Sequence, residues 1–189
     1  MCGRYTFFPQ ENEEAARLYQ FAKDKFGEEA VRTGEIYPSY AMPVYREGGG
    51  AMGLSLFSWG YPKEKGSIIN ARRETAAQKP FFRRDLELHR CVVPSTGFYE
   101  WKKTGEGKEK YRFTLPGAQM LYMAGIYKVK EGAPYFMILT AQANASMAEV
   151  HERMPLVLTG ENIRLWLTDY GAARELLCAE VPMLQKIRA

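Results

Sequence analysis

Residues 97–115 read GFYEWKKTGEGKEKYRFTL, and this stretch has the pattern of a β-hairpin. The runs GFYEWKK and KYRFTL are rich in aromatic residues and flank a glycine-containing turn, which is typical of two antiparallel strands. Side chains alternate between the faces of a strand, so Phe98 and Glu100 share one face, and Tyr99 and Trp101 share the other. The sequence therefore predicts an acidic side chain beside a core aromatic residue.

The segments on either side of this hairpin extend the β pattern. Upstream, MPVYRE and AMGLSLFSWG flank three glycines at 48–50, which predicts a second hairpin. Downstream, LYMAGIYKV and APYFMILTA have the apolar character of buried strands. Helical spacing is present at 11–26 and again near 145–150, 162–167 and 172–178. We predict one compact α+β domain over 1–189, with a mostly antiparallel sheet or partly closed β-barrel core and peripheral helices.

The composition is that of an ordinary soluble protein. The chain has 189 residues, of which 46% are hydrophobic and 25% are charged. It contains no apolar run near the roughly 20 residues that a membrane span requires, and no secretory signal pattern. Three cysteines are an odd number for a disulfide framework, so a reducing cytoplasm is expected.

Positive charge is concentrated in one segment of a mildly basic chain. The formal net charge is +4 and the sequence pI is about 8.9. Within 72–90 the basic residues are Arg72, Arg73, Lys79, Arg83, Arg84 and Arg90. This pattern fits either a solvated surface or a groove that follows a phosphate backbone.

Cys2 follows the initiator methionine directly, which gives it a chemical property that other cysteines lack. Removal of Met1 would leave an α-amine and a thiol on the same residue, and both groups titrate not far above neutral pH. An aldehyde that meets this pair forms an imine with the amine and is then trapped by the thiol as a five-membered thiazolidine. The alternative is that the residue is incidental.

The other cysteines do not indicate a metal site. Cys91 and Cys178 lie in apolar contexts, where a cysteine usually packs as a small hydrophobic residue, so we predict that both are in the core. The chain has only two histidines and neither a CxxC nor an HExxH motif. We therefore predict no metal and no cofactor.

Three polar residues are candidates for catalysis, and each also has a structural interpretation. His151 precedes a proline-containing segment and can face a cleft, although a single histidine is more often structural. Glu100 shares a strand face with Phe98, which suggests acid–base chemistry. Asn70 ends an apolar strand, and it is either a functional amide or a simple turn residue.

Seven motifs in order resemble those of the SRAP family, the SOS response-associated peptidase domain proteins. The motifs are MCGRY, INARRET, KPFFR, CVVPSTGFYEW, MAGIY, FMILTAQAN and HERMP. The resemblance runs from Met1 to about Trp166. It implies a compact β-rich domain that shields abasic sites in single-stranded DNA by forming a covalent DNA–protein crosslink.

The resemblance also implies roles for individual residues. Cys2 supplies both nucleophiles, Asn70 positions the amine or the opened sugar, Glu100 acts as acid and base, and His151 transfers a proton at the sugar oxygen. The residues implied to contact DNA are Arg4, Arg72, Arg83, Pro38, Trp59 and Thr140. Pro38 and Trp59 would form a wedge for base stacking, but the stretch WGYPKEKGS at 59–67 departs from the family pattern, so the stacking mode is not defined.

The expected partner is single-stranded DNA that contains abasic sites. We expect a monomer in the cytoplasm, associated with the nucleoid when bound to damaged DNA, and no membrane partner. One alternative function is a thiol peptidase or autopeptidase that uses Cys2 with His151. Another is a β domain that binds nucleic acid without covalent chemistry, in which Cys2 is incidental. Protein that retains Met1 is expected not to form the stable thiazolidine.

Overall fold

A computed structural model describes residues 2–189, and Met1 lies outside them. The strands are β1 (Tyr5–Phe7), β2 (Gly34–Ile36), β3 (Ala41–Gly48), β4 (Ala51–Trp59), β5 (Tyr61–Pro62), β6 (Ser67–Ile68), β7 (Asn70–Arg72), β8 (Arg90–Ser95), β9 (Gly97–Thr104), β10 (Gly107–Thr114), β11 (Leu121–Lys130), β12 (Ala133–Gln142), β13 (Arg153–Pro155), β14 (Val157–Leu158) and β15 (Gln185–Arg188). The α-helices are α1 (Glu13–Phe26), α2 (Arg73–Ala76), α3 (Pro80–Leu88), α4 (Asn162–Thr168) and α5 (Tyr170–Leu176). Short 3₁₀ helices occupy Pro9–Glu11 and Glu28–Ala30.

Five strands close into a barrel in the order β12, β4, β3, β8 and β11. The barrel closes because β11 pairs with β8 on one edge and with β12 on the other. β12 and β4 run parallel, with Phe136 opposite Trp59, whereas the other four pairings are antiparallel. The α+β prediction is confirmed, and the core that the sequence predicted as a mostly antiparallel sheet or partly closed barrel is a closed barrel.

A glycine allows the barrel wall to close tightly. Gly125 of β11 lies opposite Cys91 of β8 and Ile138 of β12. A Cβ atom at this position would lie 2.9 Å from the Cys91 Sγ and 3.1 Å from the Met137 carbonyl oxygen. Both distances are shorter than ordinary van der Waals contact, so a larger residue would push the neighbouring strands apart.

A second sheet of five strands packs against the barrel, in the order β15, β10, β9, β1 and β2. Both predicted hairpins are present, as β3–β4 around the glycines and as β9–β10 around TGEGK. The main apolar core combines side chains from this sheet and from the barrel, and it includes Cys2, Phe98 and Phe113. The chain near Cys2 therefore lies at the junction of the two sheets.

The helices cover the barrel at two places. α1 begins after Asn12, whose side-chain oxygen accepts a hydrogen bond from the Ala15 amide at 2.8 Å. Helices α3, α4 and α5 contribute to a second apolar cluster that also contains side chains from strands of the barrel. The predicted helices at 11–26, 162–167 and 172–178 are confirmed, with ends that differ by one or two residues.

Two predictions about this part of the chain are wrong. Residues 145–150 form a series of turns, because the backbone bonds from Ala148 to the Asn144 carbonyl and from His151 to the Met147 carbonyl are isolated and do not continue into a helix. Cys178 is exposed, because α5 ends at Leu176 and the cysteine falls in the turn that follows. Cys91 is buried in the barrel wall, as predicted. Among residues 2–189, no helix is both long and apolar enough to cross a membrane.

Candidate functional site

The N-terminal segment places Cys2 beside strand β9. Tyr5 and Thr6 pair antiparallel with Phe98 and Gly97, and the Tyr99 amide donates to the Arg4 carbonyl at 2.9 Å. Continuing this register toward the N-terminus places Gly3 opposite Glu100 and Cys2 one position further, opposite Trp101. Cys2 has no solvent exposure and Glu100 is 5% exposed, so both side chains lie inside the protein.

Asn70 makes a direct contact with the Cys2 backbone. Its Nδ2 donates to the Cys2 carbonyl oxygen at 3.0 Å, and its enclosed Oδ1 accepts no hydrogen bond from any described residue. β7 holds Asn70 in place by pairing parallel with β12, where Asn70 lies opposite Ile138. The preceding residue, Ile69, accepts from the Trp59 indole nitrogen at 3.1 Å. Asn70 thus anchors the N-terminal segment and retains an unused acceptor near it.

The environment of the Cys2 thiol keeps it protonated. Burial raises its pKa far above the ordinary value, and the nearby Glu100 carboxylate raises the pKa further. The Sγ atom lies 3.8 Å from the Arg4 carbonyl oxygen, which is a weak opposing influence on that pKa. At neutral pH the side chain is therefore a thiol, and it needs a proton acceptor before it can act as a nucleophile.

His151 is held in one tautomer. Its Nδ1 accepts a hydrogen bond from the Arg153 backbone amide at 2.9 Å, so the proton of the neutral ring resides on Nε2. The Arg153 guanidinium in turn binds both oxygens of Glu74 at 2.8 Å and the Thr140 carbonyl at 2.6 Å. Partial burial alone would raise the pKa of the Glu74 carboxyl, but the hydrogen bonds from Arg153, a backbone hydrogen bond and the charges of Arg153 and Arg73 together lower it. His151 therefore presents Nε2 as a hydrogen-bond donor.

Arg4 lies in a cluster of aromatic and charged side chains. Its Nη1 pairs with Glu35 Oε2 at 3.0 Å. Its guanidinium carbon lies 4.2 Å from the ring centre of Tyr37 and 4.9 Å from that of Trp101, within the range of cation–π attraction. Lys110 pairs with the other oxygen of Glu35. This cluster places a cation two residues from Cys2.

The remaining predicted DNA contacts differ in accessibility. Arg72 is exposed at the end of β7, and Arg83 is exposed on α3. Pro38 is half-buried in the turn that follows β2. Thr140 is fully buried and donates to the Ala71 carbonyl at 3.4 Å, so it supports the strand that bears Asn70.

Trp59 does not have the surface position that a base-stacking wedge needs. It is completely buried, stacks on Phe136 with an interplanar angle of 7°, and lies 5.1 Å from the Tyr5 ring. The assignment of Trp59 to stacking is thus corrected, since its ring belongs to the core. Tyr37, which is 37% exposed and adjacent to Pro38, offers an accessible aromatic surface instead.

Several site residues could not be recognised in the sequence. Arg153 belongs to the HERMP motif, and this motif is the sequence feature that points to it. Glu35, Tyr37 and Lys110 approach Arg4 only through the pairing of distant strands. Among the residues that the structure describes, no three or more His, Cys, Asp or Glu side chains are grouped as metal ligands.

The fold and the site define a β-barrel protein with a buried cysteine near its N-terminus, contacted by an amide and close to a carboxylate. The chain belongs to the family described as SOS response associated peptidase (SRAP), which matches residues 1–187. This membership confirms the resemblance that the seven motifs indicated.

The chain is similar to several proteins named for abasic-site processing. It is 34% identical over 187 residues to the abasic site processing protein YoqW of Bacillus subtilis, a match that covers 88% of this chain and 80% of that protein. It is 29% identical over 184 residues to YedK of Escherichia coli, covering 93% and 83%. With HMCES of Gallus gallus the identity is 33% over 124 residues, covering 52% and 37%.

Crystal structures of two bacterial proteins share the fold. A protein from Bacteroides thetaiotaomicron superposes with a TM-score of 0.77 at 23% identity, covering 99% of this chain and 91% of that one. A phage-related protein from Bordetella bronchiseptica superposes with a TM-score of 0.74 at 24% identity, covering 100% and 94%. At these identities the likeness establishes the fold alone.

Proposed function

We propose that this chain is an abasic-site processing protein that binds single-stranded DNA and becomes covalently attached to an abasic sugar through Cys2. The observation that carries the proposal is the position of Cys2, which is buried next to Glu100 and hydrogen-bonded through its carbonyl to Asn70. The names of the relatives, which include proteins from bacteria and vertebrates, support DNA with abasic sites as the partner.

The proposed reaction begins after Met1 is removed, and Met1 lies outside the described residues. The Cys2 amine adds to the aldehyde carbon of the ring-opened sugar, and the resulting carbinolamine loses water to form an imine. The thiol sulfur then adds to the imine carbon, and the thiol proton passes to the nitrogen. The product is a thiazolidine ring, and the net change is the loss of one water molecule.

The electrostatics of the site suggest an order for these steps. Because burial raises the thiol pKa, the amine is the better first nucleophile near neutral pH. We propose that Glu100 accepts the thiol proton when the sulfur attacks and passes it to the nitrogen, and that His151 donates from Nε2 to the sugar oxygen as the ring opens. The unused Oδ1 of Asn70 is available to accept a hydrogen bond from the amine.

DNA binding would hold the sugar next to these groups. We propose that Arg4, Arg72 and Arg83 contact phosphates, and that Pro38 and the face of Tyr37 that Arg4 does not cover form the surface on which a flanking base stacks. Single-stranded DNA is favoured because an abasic nucleotide in it needs no unpairing. Anchored phosphates make the addition effectively intramolecular, which lowers its barrier.

We further propose that residues 1–189 act as one domain and as a monomer in the cytoplasm, on the nucleoid when damaged DNA is bound. The protein would react once per molecule or reverse slowly, and it would not act as a general protease.

Intact-mass measurement tests this function. The protein is incubated with a single-stranded oligonucleotide that bears one abasic site, and we expect loss of Met1 followed by a heat-stable 1:1 adduct that lacks one water. Cys2→Ala should give no adduct, whereas Cys178→Ala, which removes the exposed thiol, should react normally. Material that retains Met1 should also give no stable adduct. Processed protein that binds the oligonucleotide without gaining its mass would contradict the proposal.

The family description leaves a thiol peptidase as the second candidate function, with Cys2 as nucleophile and His151 as base. The raised pKa of the Cys2 thiol weighs against it, since such an enzyme needs a thiolate at neutral pH. Multiple turnover of a peptide in trans would favour the peptidase over the stoichiometric crosslink. Salt-sensitive DNA binding with no adduct would instead favour a purely non-covalent function.

A further inference from the structure

Three charged side chains meet beside the N-terminal segment, and two of them have no role in the function proposed above. Glu35 bridges two cations, with Oε2 accepting from Arg4 at 3.0 Å and Oε1 accepting from Lys110. The side-chain exposures of Arg4, Glu35 and Lys110 are 29%, 29% and 27%. The cluster is therefore partly accessible to a ligand.

Aromatic rings contact both cations in addition to Glu35, although one of these rings, Tyr37, itself donates to Glu35 Oε2 at 3.5 Å. Arg4 lies between Tyr37 and Trp101, as described above. The Lys110 Nζ lies 3.8 Å from the ring centre of Tyr99 and 5.9 Å from that of Trp101. If the carboxylate moved away, Lys110 would keep its contacts with Tyr99 and Trp101, and Arg4 would keep its contact with Trp101.

Glu35 lies on a strand that has fewer paired neighbours than the strand that bears Lys110. It belongs to β2, a three-residue strand at the edge of the five-stranded sheet, paired only with β1. Lys110, by contrast, lies in β10, which is paired with β9 on one side and with β15 on the other. A displacement of Glu35 would therefore disturb few other contacts.

We propose that Arg4 and Lys110 form a binding subsite for a DNA phosphodiester, which the Glu35 carboxylate occupies when no DNA is bound. A carboxylate presents two oxygens to the two cations, and the two non-bridging oxygens of a phosphodiester can replace them one for one. Binding would exchange the internal anion for the phosphate. This inference rests on the proposed function, because it assumes a nucleic-acid ligand at the Cys2 site.

The subsite explains how the protein limits its affinity for undamaged DNA. Each phosphate that enters must displace a carboxylate that already neutralises both cations, so backbone contacts alone are weakened. An abasic strand has the same backbone, but it is then retained by the covalent bond to Cys2. Glu35 is in this sense a specificity-determining residue, and Lys110 is a phosphate contact.

The test compares this cluster with a matched ion pair between α1 and the 3₁₀ helix that follows it. Lys23 and Glu28 are 2.6 Å apart and have no contact with the Cys2 site, so Glu28→Gln and Lys23→Gln reproduce the same charge changes elsewhere. Binding of an undamaged, fluorescein-labelled thymidine 20-mer is measured by anisotropy over a range of salt concentrations. Thermal unfolding of each variant confirms that the protein is folded.

We expect Glu35→Gln to bind the 20-mer roughly three- to tenfold more tightly than Glu28→Gln at low salt. Lys110→Gln should bind more weakly than Lys23→Gln, and the slope of log K against log salt should fall by about 0.7, the value for one lost phosphate contact on a single strand. In the double variant Glu35→Gln/Lys110→Gln, much of the gain in affinity expected for Glu35→Gln should be lost.

Weaker binding by Glu35→Gln than by Glu28→Gln would overturn the inference, since it would mean that the carboxylate positions the cations. Equal affinity for the 20-mer in Glu35→Gln and Glu28→Gln, and in Lys110→Gln and Lys23→Gln, would overturn it as well. If the wild-type protein forms the Cys2 adduct while the cluster variants match their controls, only this inference fails. If the wild type neither binds the 20-mer nor forms an adduct, the proposed function itself fails.

Discussion

Cys2 and Cys91 are both fully buried, and burial raises the thiol pKa of both far above the ordinary value. Their surroundings differ in polarity. Cys2 has the Glu100 carboxylate near its thiol and the Asn70 amide on its carbonyl, whereas burial alone determines the pKa of Cys91. Burial and a raised thiol pKa therefore do not distinguish the two cysteines, whereas the carboxylate near the Cys2 thiol does.

The two regions also differ in how the backbone is used. Cys91 lies inside the barrel wall, opposite Gly125 on one side and Arg46 on the other, so its amide is part of a continuous sheet. Cys2 lies outside the strands, on the N-terminal side of β1, at the junction of the barrel and the second sheet. Only at Cys2 can a free α-amine be produced beside the thiol.

The largest effect on crosslinking is expected from replacing the Cys2 thiol, with the same replacement at Cys91 as the comparison. Cys2→Ser keeps the amine but cannot close the thiazolidine, so the heat-stable adduct should disappear and only an imine that borohydride can trap should remain. Cys91→Ser should form the adduct in full yield once corrected for the fraction of folded protein. Both variants are assayed by denaturing gel with the abasic oligonucleotide.

Two results would contradict the expected difference between Cys2→Ser and Cys91→Ser. A heat-stable adduct from Cys2→Ser without borohydride would show that the thiol is not part of the final bond. Loss of the adduct in a folded Cys91→Ser protein would show that the barrel-wall thiol takes part in the reaction. Either result would remove the distinction between the two cysteines.

A smaller effect is expected from Asn70→Ala, which leaves both nucleophiles in place. The variant removes the 3.0 Å hydrogen bond to the Cys2 carbonyl and the unused acceptor Oδ1. Loss of such a buried contact costs about 1–3 kcal/mol, so the single-turnover rate of crosslinking should fall about five- to 150-fold. The final yield should approach that of the wild type.

Another asparagine provides the control for this prediction. Asn12→Ala removes the cap of α1 and should cost about 0.5–2 kcal/mol of stability, with little change in the crosslinking rate of folded protein. If both variants slow crosslinking equally, Asn70 acts through general stability and not through the position of Cys2.

The sequence predicts the parts of the fold that depend on neighbouring residues. The β3–β4 and β9–β10 hairpins each join strands across a short turn, and their alternating pattern is visible locally. Barrel closure is different, because it depends on pairs such as Phe136 with Trp59, far apart in the chain. No local pattern encodes that contact, so the sequence left open a mostly antiparallel sheet or a partly closed barrel.

The site was predictable to a similar degree. Cys2, Asn70 and Glu100 were selected on motifs, and the structure brings these three together. The family resemblance implied a stacking role for Trp59, and the local sequence does not correct it, because an aromatic residue before a glycine has the same appearance in a loop and in a core. Glu35 carries no motif, and its relation to Arg4 depends on the antiparallel pairing of β1 with β2.

The smallest effect on the chemistry is expected at Gly125, although this variant tests the structural role of Cys91 directly. A Cβ atom there would lie 2.9 Å from the Cys91 Sγ, so Gly125→Ala should cost about 1–3 kcal/mol of unfolding free energy, measured by urea denaturation. Cys91→Ala removes that sulfur, and in this background the cost should be smaller but not zero, because the Met137 carbonyl at 3.1 Å remains. Strictly additive costs would mean that the strands, and not the thiol, limit the space at Gly125. At temperatures where the variants are folded, their Cys2 adduct should form as in the wild type, since the barrel wall contributes packing and the junction contributes chemistry.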